Sequence, residues 1–250
     1  MSGWLVSPPS SLPPSPVSAP VTPAATAPPA DASPADATLP VVETFHSLQG
    51  EGLHAGRSAF FLRLAGCSVG CPWCDTKHSW PEAPHPRRSL AELAAEAGAA
   101  AAAGAAFVVI TGGEPLHHHL DELCAALRAA TRSKAQPTGL PLHLETSGVD
   151  PLSGHFDWIT LSPKRHKPPR SELLAACHEL KVVVHGPEDP PFAEAMAAAA
   201  RQARGGALAP ALLLQPGWDA GEGQQLAIDF VRAHPAWRLS LQSHKWLGVR

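Results

Sequence analysis

Ala59-Phe60-Phe61-Leu62-Arg63-Leu64-Ala65-Gly66-Cys67-Ser68-Val69-Gly70-Cys71-Pro72-Trp73-Cys74 runs from an apolar, aromatic stretch straight into a loop that carries three cysteines. The run predicts a strand over 59–64, and the cysteines follow its C-terminal end, where parallel βα folds place their ligands. Further β-branched or apolar runs predict strands over 107–111, 142–145, 158–161, 181–184, 211–214 and 239–242. Helices are expected between them. Ser89 with Glu92 forms a capping box that opens one through about residue 103, and others are expected over 118–131, 171–177, 191–204 and 221–233. Six or seven strands alternating with fewer helices describe an α/β chain, an incomplete (β/α) barrel and not a full eightfold one.

The chain has 250 residues and a formal net charge of −3, enough for one sizeable core and without the charge excess of a nucleic-acid surface. Residues 1–38 contain no Lys or Arg and are rich in Pro, Ala, Ser and Thr, so a disordered tail is expected ahead of a catalytic domain over 39–250. That tail lacks the basic start and apolar run of a secretory signal. No stretch of about 18 uncharged apolar residues is present, so no membrane partner is expected. Three of five cysteines crowd into eight residues, which suits a reduced metal site and a cytoplasmic location.

Three thiolates can hold three irons of a [4Fe-4S] cluster, which leaves the fourth iron open for chemistry. A ferredoxin would want a fourth Cys, and a closed zinc site a fourth Cys or His, for which His78 is a candidate. Cys124 and Cys177 lie on apolar helices and are expected in the core. Thr111-Gly112-Gly113-Glu114-Pro115 ends the next strand, and paired glycines there let backbone lie against a ligand. Glu145-Thr146-Ser147-Gly148, Ser162-Pro163-Lys164 and Gln215-Pro216 occupy loops after later strands. Phe45-His46-Ser47-Leu48-Gln49-Gly50-Glu51-Gly52 sets a carboxamide and a carboxylate between glycines, suited to a flat heterocycle with several donors and acceptors. Arg63 offers a fork that matches a carboxylate, and Asp75-Thr76 offers oxygens to a hard Mg²⁺. His117, His118 and His119 read as a solvated helix start.

The cysteine spacing, with an aromatic residue before the last Cys, and the Gly-Gly-Glu-Pro loop resemble the radical S-adenosylmethionine superfamily. That resemblance implies a [4Fe-4S] cluster on Cys67, Cys71 and Cys74, and S-adenosyl-L-methionine as cofactor. Within it, the order of Leu48-Gln49-Gly50-Glu51-Gly52, Arg63 to Cys67, Cys74-Asp75-Thr76 and Leu241-Gln242-Ser243-His244-Lys245 is similar to the 7-carboxy-7-deazaguanine synthase family, from about Val41 to Arg250. The likeness implies conversion of 6-carboxy-5,6,7,8-tetrahydropterin to 7-carboxy-7-deazaguanine with loss of ammonia. It implies substrate contacts at Leu48, Gln49, Gly50, Arg63, Thr111, His244 and Arg250, with Arg63, Glu51 and His244 in the chemistry. It implies cofactor contacts at Gly113, Glu114, Ser162, Pro163, Lys164 and Gln215, and Mg²⁺ at Thr76. An electron donor such as flavodoxin or ferredoxin and a homodimer are expected on the same ground. This chain ends in Arg250 where some relatives have a Pro, and Gln215-Pro216-Gly217-Trp218 matches the family's cofactor loop only in part. Two alternatives stand beside this reading: an activase of a glycyl-radical enzyme, which shares the cysteine spacing, and a zinc-stabilised module without catalysis.

Overall fold

A computed structural model describes residues 37–218 and 220–250. The expected tail therefore falls outside the described residues except at its end. There Ala37 packs on the core and its carbonyl accepts from Leu90 N at 3.1 Å, while Thr38 opens the first strand.

The described elements are β1 (Thr38–Leu48), β2 (Ser58–Leu64), β3 (Arg87–Ser89), α1 (Leu90–Ala102), β4 (Val108–Gly112), α2 (Asp121–Ala130), β5 (Leu142–Thr146), β6 (Trp158–Leu161), α3 (Ser171–Ala176), β7 (Glu179–Val184), α4 (Asp189–Ala203), β8 (Ala211–Pro216), α5 (Gly221–Ala233), β9 (Trp237–Leu239) and α6 (Ser243–Leu247). They form one nine-stranded sheet in the order β3-β1-β2-β4-β5-β6-β7-β8-β9. From β2 to β9 every pairing is parallel, so seven strands build the expected unclosed barrel, and β1 and β3 extend it antiparallel.

Strand periodicity sorts the side chains onto two faces. Leu62 and Leu64, Val108 and Ile110, Leu142 and Leu144, Leu180 and Val182, and Leu212 and Leu214 are buried in the core shared with the helices. The alternate residues Arg63, Thr111, Glu145, Lys181 and Gln215 line the cavity. Below them Ala59, Phe61, Phe107 and Val109 form a smaller apolar cluster joined by Phe45. Small side chains let the helices sit close: Ala94, Ala97 and Ala100 of α1 are buried, and a Cβ at Gly98 would lie 3.0 Å from Ala130 O of α2. None of the helices is long and apolar enough to cross a membrane among the described residues.

Three expectations about elements are corrected. The stretch ending at Leu48, read only as a ligand-binding turn, belongs to β1, whose Pro40 argues against a strand from sequence. Its Cα partners are Arg87 on β3, and its carbonyl accepts from Ala65 N at 3.0 Å, so the missing N–H costs little. The last strand is Trp237–Leu239, not 239–242. Ser240 N gives the last bond to β8, to Leu214 O at 2.8 Å, and beyond it the Ser240 and Gln242 side chains bond Gln215 (2.8 Å) and Glu51 (2.9 Å). The helix expected from residue 118 starts at Asp121, because His117 and His118 bond back to Ser68 and to Ala65 O.

The capping box is present as read: the Ser89 hydroxyl accepts from Glu92 N at 3.2 Å and the Glu92 carboxylate accepts from Ser89 N at 2.9 Å. Ser89→Ala is expected to lower stability by about 1 kcal/mol. The urea midpoint of the apoprotein should fall with an unchanged m value.

Candidate active site

The C-terminal ends of the parallel strands open onto one cavity of about 820 Å³. That is the size range of sites for small molecules and cofactors. Cys67, Cys71 and Cys74 line it, unpaired, on the loop after β2. Burial pushes the Cys67 and Cys71 thiols up from their usual value, so a metal taken up there must displace their protons. Among the described residues no three His, Cys, Asp or Glu side chains, these thiols included, are gathered closely enough to hold a single metal ion such as zinc, and His78 is exposed and does not line the cavity. Three soft thiolates on one loop without a fourth protein ligand fit a [4Fe-4S] cluster with one open iron.

The loop after β4 lies directly on the cysteine loop. Gly113 N donates to Leu64 O at 2.9 Å and Glu114 N to Gly66 O at 2.8 Å, and a Cβ at Gly113 would run into the Gly66 carbonyl. Only glycine lets these two backbones meet. Glu114 is buried and its carboxylate is turned into the protein. It accepts from Thr146 Oγ1 (2.5 Å), Ser147 N (2.8 Å), Ser147 Oγ (2.5 Å) and Leu116 N (3.2 Å). Glu114 thus ties the β4 loop to the β5 loop. Ser162, Lys164 and Gln215 also line the cavity, whereas Pro163 is buried and does not. Lys164 Nζ donates to Ser162 Oγ at 2.8 Å, and burial holds its ammonium below the usual lysine range, against the pull of Cys71.

Across the cavity the floor is polar. Glu145 accepts from Gln49 Nε2 at 3.0 Å on one oxygen and from Thr111 Oγ1 at 2.9 Å on the other. Arg63 stands opposite Glu43 in the β1–β2 register and donates Nε to it at 2.9 Å. Arg250 pairs with the other Glu43 oxygen at 3.2 Å and lies over the Phe45 ring. Phe45 in turn stacks on Phe61 with centroids 4.9 Å apart. Gly50 packs flat against the His244 ring, where any Cβ would collide, and Ser243 N donates to Gly50 O at 2.9 Å. Burial lowers the His244 pKa, which favours the neutral imidazole. Thr76 Oγ1 lines the cavity 3.5 Å from Cys74 Sγ, a weak partner that leaves its oxygen available to a cation.

The residues singled out from sequence, Pro163 excepted, therefore surround one cavity: Leu48, Gln49, Gly50, Glu51, Arg63, Cys67, Cys71, Cys74, Thr76, Thr111, Gly113, Glu114, Ser162, Lys164, Gln215, His244 and Arg250. Glu51 is an ion-pair partner of Lys181 and accepts from Gln242, so its carboxylate is spoken for. Burial would raise its pKa, but Lys181 and the bonds from Lys181, Gln242 and Gln215 outweigh that and hold it at about 2. Burial likewise opposes the Lys181 charge, and Glu51, Glu145 and Glu179 overcome it and raise the ammonium pKa. Glu145, expected only as part of a ligand-facing loop after its strand, holds Gln49 and Thr111, and Lys181 and Glu43 join the site without a motif that marks them. One cue existed for Lys181: a charge at an alternate position of an otherwise apolar strand. His117 is not solvated, since it bonds Ser68 and Asp150, while His119 is exposed. Cys124 and Cys177 are buried as expected.

A partial barrel with three unpaired thiols on the loop after its first parallel strand, clasped by a glycine pair on the next loop, defines a radical S-adenosylmethionine enzyme. Residues 62–164 match the family model of the Radical SAM superfamily. The chain is 55% identical over 221 residues to 7-carboxy-7-deazaguanine synthase of Prochlorococcus marinus, covering 84% of this chain and 98% of the relative. It is 48% identical over 211 residues to the enzyme of that name from Synechocystis sp., covering 84% and 93%. The crystal structure of QueE from Escherichia coli aligns with a TM-score of 0.68 at 31% identity, covering 83% of this chain and 95% of that one. The chain belongs to the 7-carboxy-7-deazaguanine synthase family. Membership sets aside the zinc-module and glycyl-radical-activase alternatives.

Two buried groups set an acid limit on stability. The Glu51 carboxyl falls from the usual 4.5 to about 2, so its contribution is present above 4.5 and is lost as pH drops toward 2. His143 stacks on Phe107, and burial lowers its pKa from 6.5 to about 3. The unfolded chain protonates it first, so stability also declines as pH falls from 6.5 toward 3. Urea midpoints should drop between pH 7 and 5 and more steeply below 4.5. Glu51→Gln should flatten the lower segment only.

Proposed function

We propose that this enzyme converts 6-carboxy-5,6,7,8-tetrahydropterin to 7-carboxy-7-deazaguanine with release of ammonia. The observation that carries the reading is that the three thiols and the Gln49–Glu145–Thr111 and Arg63–Glu43 groups face one cavity. Held at Cys67, Cys71 and Cys74, a [4Fe-4S] cluster with S-adenosyl-L-methionine would supply radical hydrogen-abstraction chemistry.

The protein's own contribution is positioning. Each Glu145 oxygen, already holding one donor, keeps a lone pair for the amino and ring N–H groups of a pterin. Gln49 and Thr111 hold that carboxylate in plane. Among the described residues Glu43 takes only Nε of Arg63, which leaves the terminal nitrogens to receive the substrate carboxylate. His244, wedged on Gly50 and neutral, presents a ring nitrogen to the heterocycle. Gly113, Ser162, Lys164 and Gln215 contact the cofactor, and Thr76 binds Mg²⁺, a hard cation that keeps most of its waters. Trp73 and Trp218, both exposed, line the same cavity. The enzyme draws electrons from a flavodoxin or ferredoxin and works as a homodimer in the cytoplasm, where its five cysteines stay reduced.

Anaerobically reconstituted protein, incubated with the pterin, cofactor, Mg²⁺ and reductant, is expected to form the deazapurine acid and ammonia in equal amounts. Normal cofactor cleavage without that product overturns the substrate assignment. Arg63→Ala removes hydrogen bonds to a charged group and is expected to cost about 2–3 kcal/mol, or about 30- to 150-fold in kcat/KM. Arg63→Lys should recover only part of this, because it restores the charge but not the fork.

A further inference from the structure

The cysteine loop has three backbone polar groups between its first and second thiols that are taken by side chains from elsewhere. Ser68 N donates to His117 Nε2 at 2.9 Å. Ser68 O accepts from Lys167 Nζ at 3.0 Å, and Val69 O is bonded by His166 Nε2 at 3.1 Å. His117 follows β4, and His166 and Lys167 follow β6, so the clamp arrives from two sides. Asp150, in the loop after β5, bonds His117 Nδ1 and sets its tautomer: with a proton on Nδ1, Nε2 is free to accept.

We infer that His117, oriented by Asp150, is a positioning residue that holds the cluster-binding loop in its ligating conformation by accepting the Ser68 amide. The inference rests on the assignment of Cys67, Cys71 and Cys74 to the cluster. Ser68, His117 and Asp150 also line up in the order of a nucleophile, base and acid, with Ser68 Oγ 3.1 Å from Nε2. That chemistry is closed, because the Nε2 lone pair already accepts the backbone N–H and is no base for the hydroxyl.

The test is iron release from the anaerobically reconstituted full chain to an excess of chelator, followed by the loss of iron–sulfur absorbance. His117→Ala is expected to release iron about tenfold faster than the wild type, the scale of losing a partner behind a metal ligand. His117→Gln, whose carboxamide oxygen reaches the place of Nε2, should return release to within about twofold. Release by His117→Ala at the wild-type rate overturns the inference, as does equally fast release from both variants, which would mark a packing defect. Thermal midpoints of the apoproteins identify a folding failure. In that case Asp150→Ala, which keeps the ring but frees it, replaces the alanine variant: faster release supports the inference and unchanged release overturns it. A wild-type protein that takes up no iron would instead overturn the cluster assignment itself.

Discussion

Lys181 stands at an alternate position of β7, nearly buried, with Glu51, Glu145 and Glu179 around it. Helices cover only one face of the parallel sheet, and the other face must still be filled by side chains that satisfy one another. Three carboxylates in that space would repel and shed their charge. One ammonium lets Glu51 stay ionised, and it is drawn on by Glu145 and Glu179 as well. Removing one partner of such a pair costs about 3–5 kcal/mol, far more than a surface pair is worth.

The rest of the cavity is built on that charge balance. Glu51 receives Gln242, which draws the chain after β9 over the cavity and brings His244 against Gly50. Glu145 receives Gln49 and Thr111, which joins the end of β1 to β4 and β5. Glu179 accepts from Leu53 N at 3.0 Å and fixes the turn after Gly52. Elements far apart in the chain are thus held by carboxylates that one lysine keeps compatible.

On the opposite rim the organising groups are backbone. Gly113 and Gly66 meet without side chains between them, and Glu114 secures the contact from behind through Thr146 and Ser147. A carboxylate that reads from sequence as a cofactor contact is here saturated by protein donors, so it shapes the loop. The histidines after it behave likewise: His117 and His118 support the cysteine loop through Ser68 and Ala65.

What was legible in the sequence is what depends on near neighbours. Apolar and β-branched runs marked six of the seven parallel strands and set the last one too late, Ser89 and Glu92 marked the start of α1, and three cysteines in eight residues marked the loop that lines the cavity with no need of the fold. β1 was hidden because Pro40 and the glycines after Leu48 point to a turn when no partner strand is in view. Lys181 and Glu43 were hidden for a related reason: a charge in an apolar strand is a cost until its counter-charges are known, and those lie more than 100 residues away for Lys181 and Glu51. The order of motifs along the chain determined the class of chemistry. Which polar groups face a ligand and which are consumed by each other was decided only in the tertiary structure, because hydrogen bonds and ion pairs depend on distance in space, and the barrel alone brings these residues within reach.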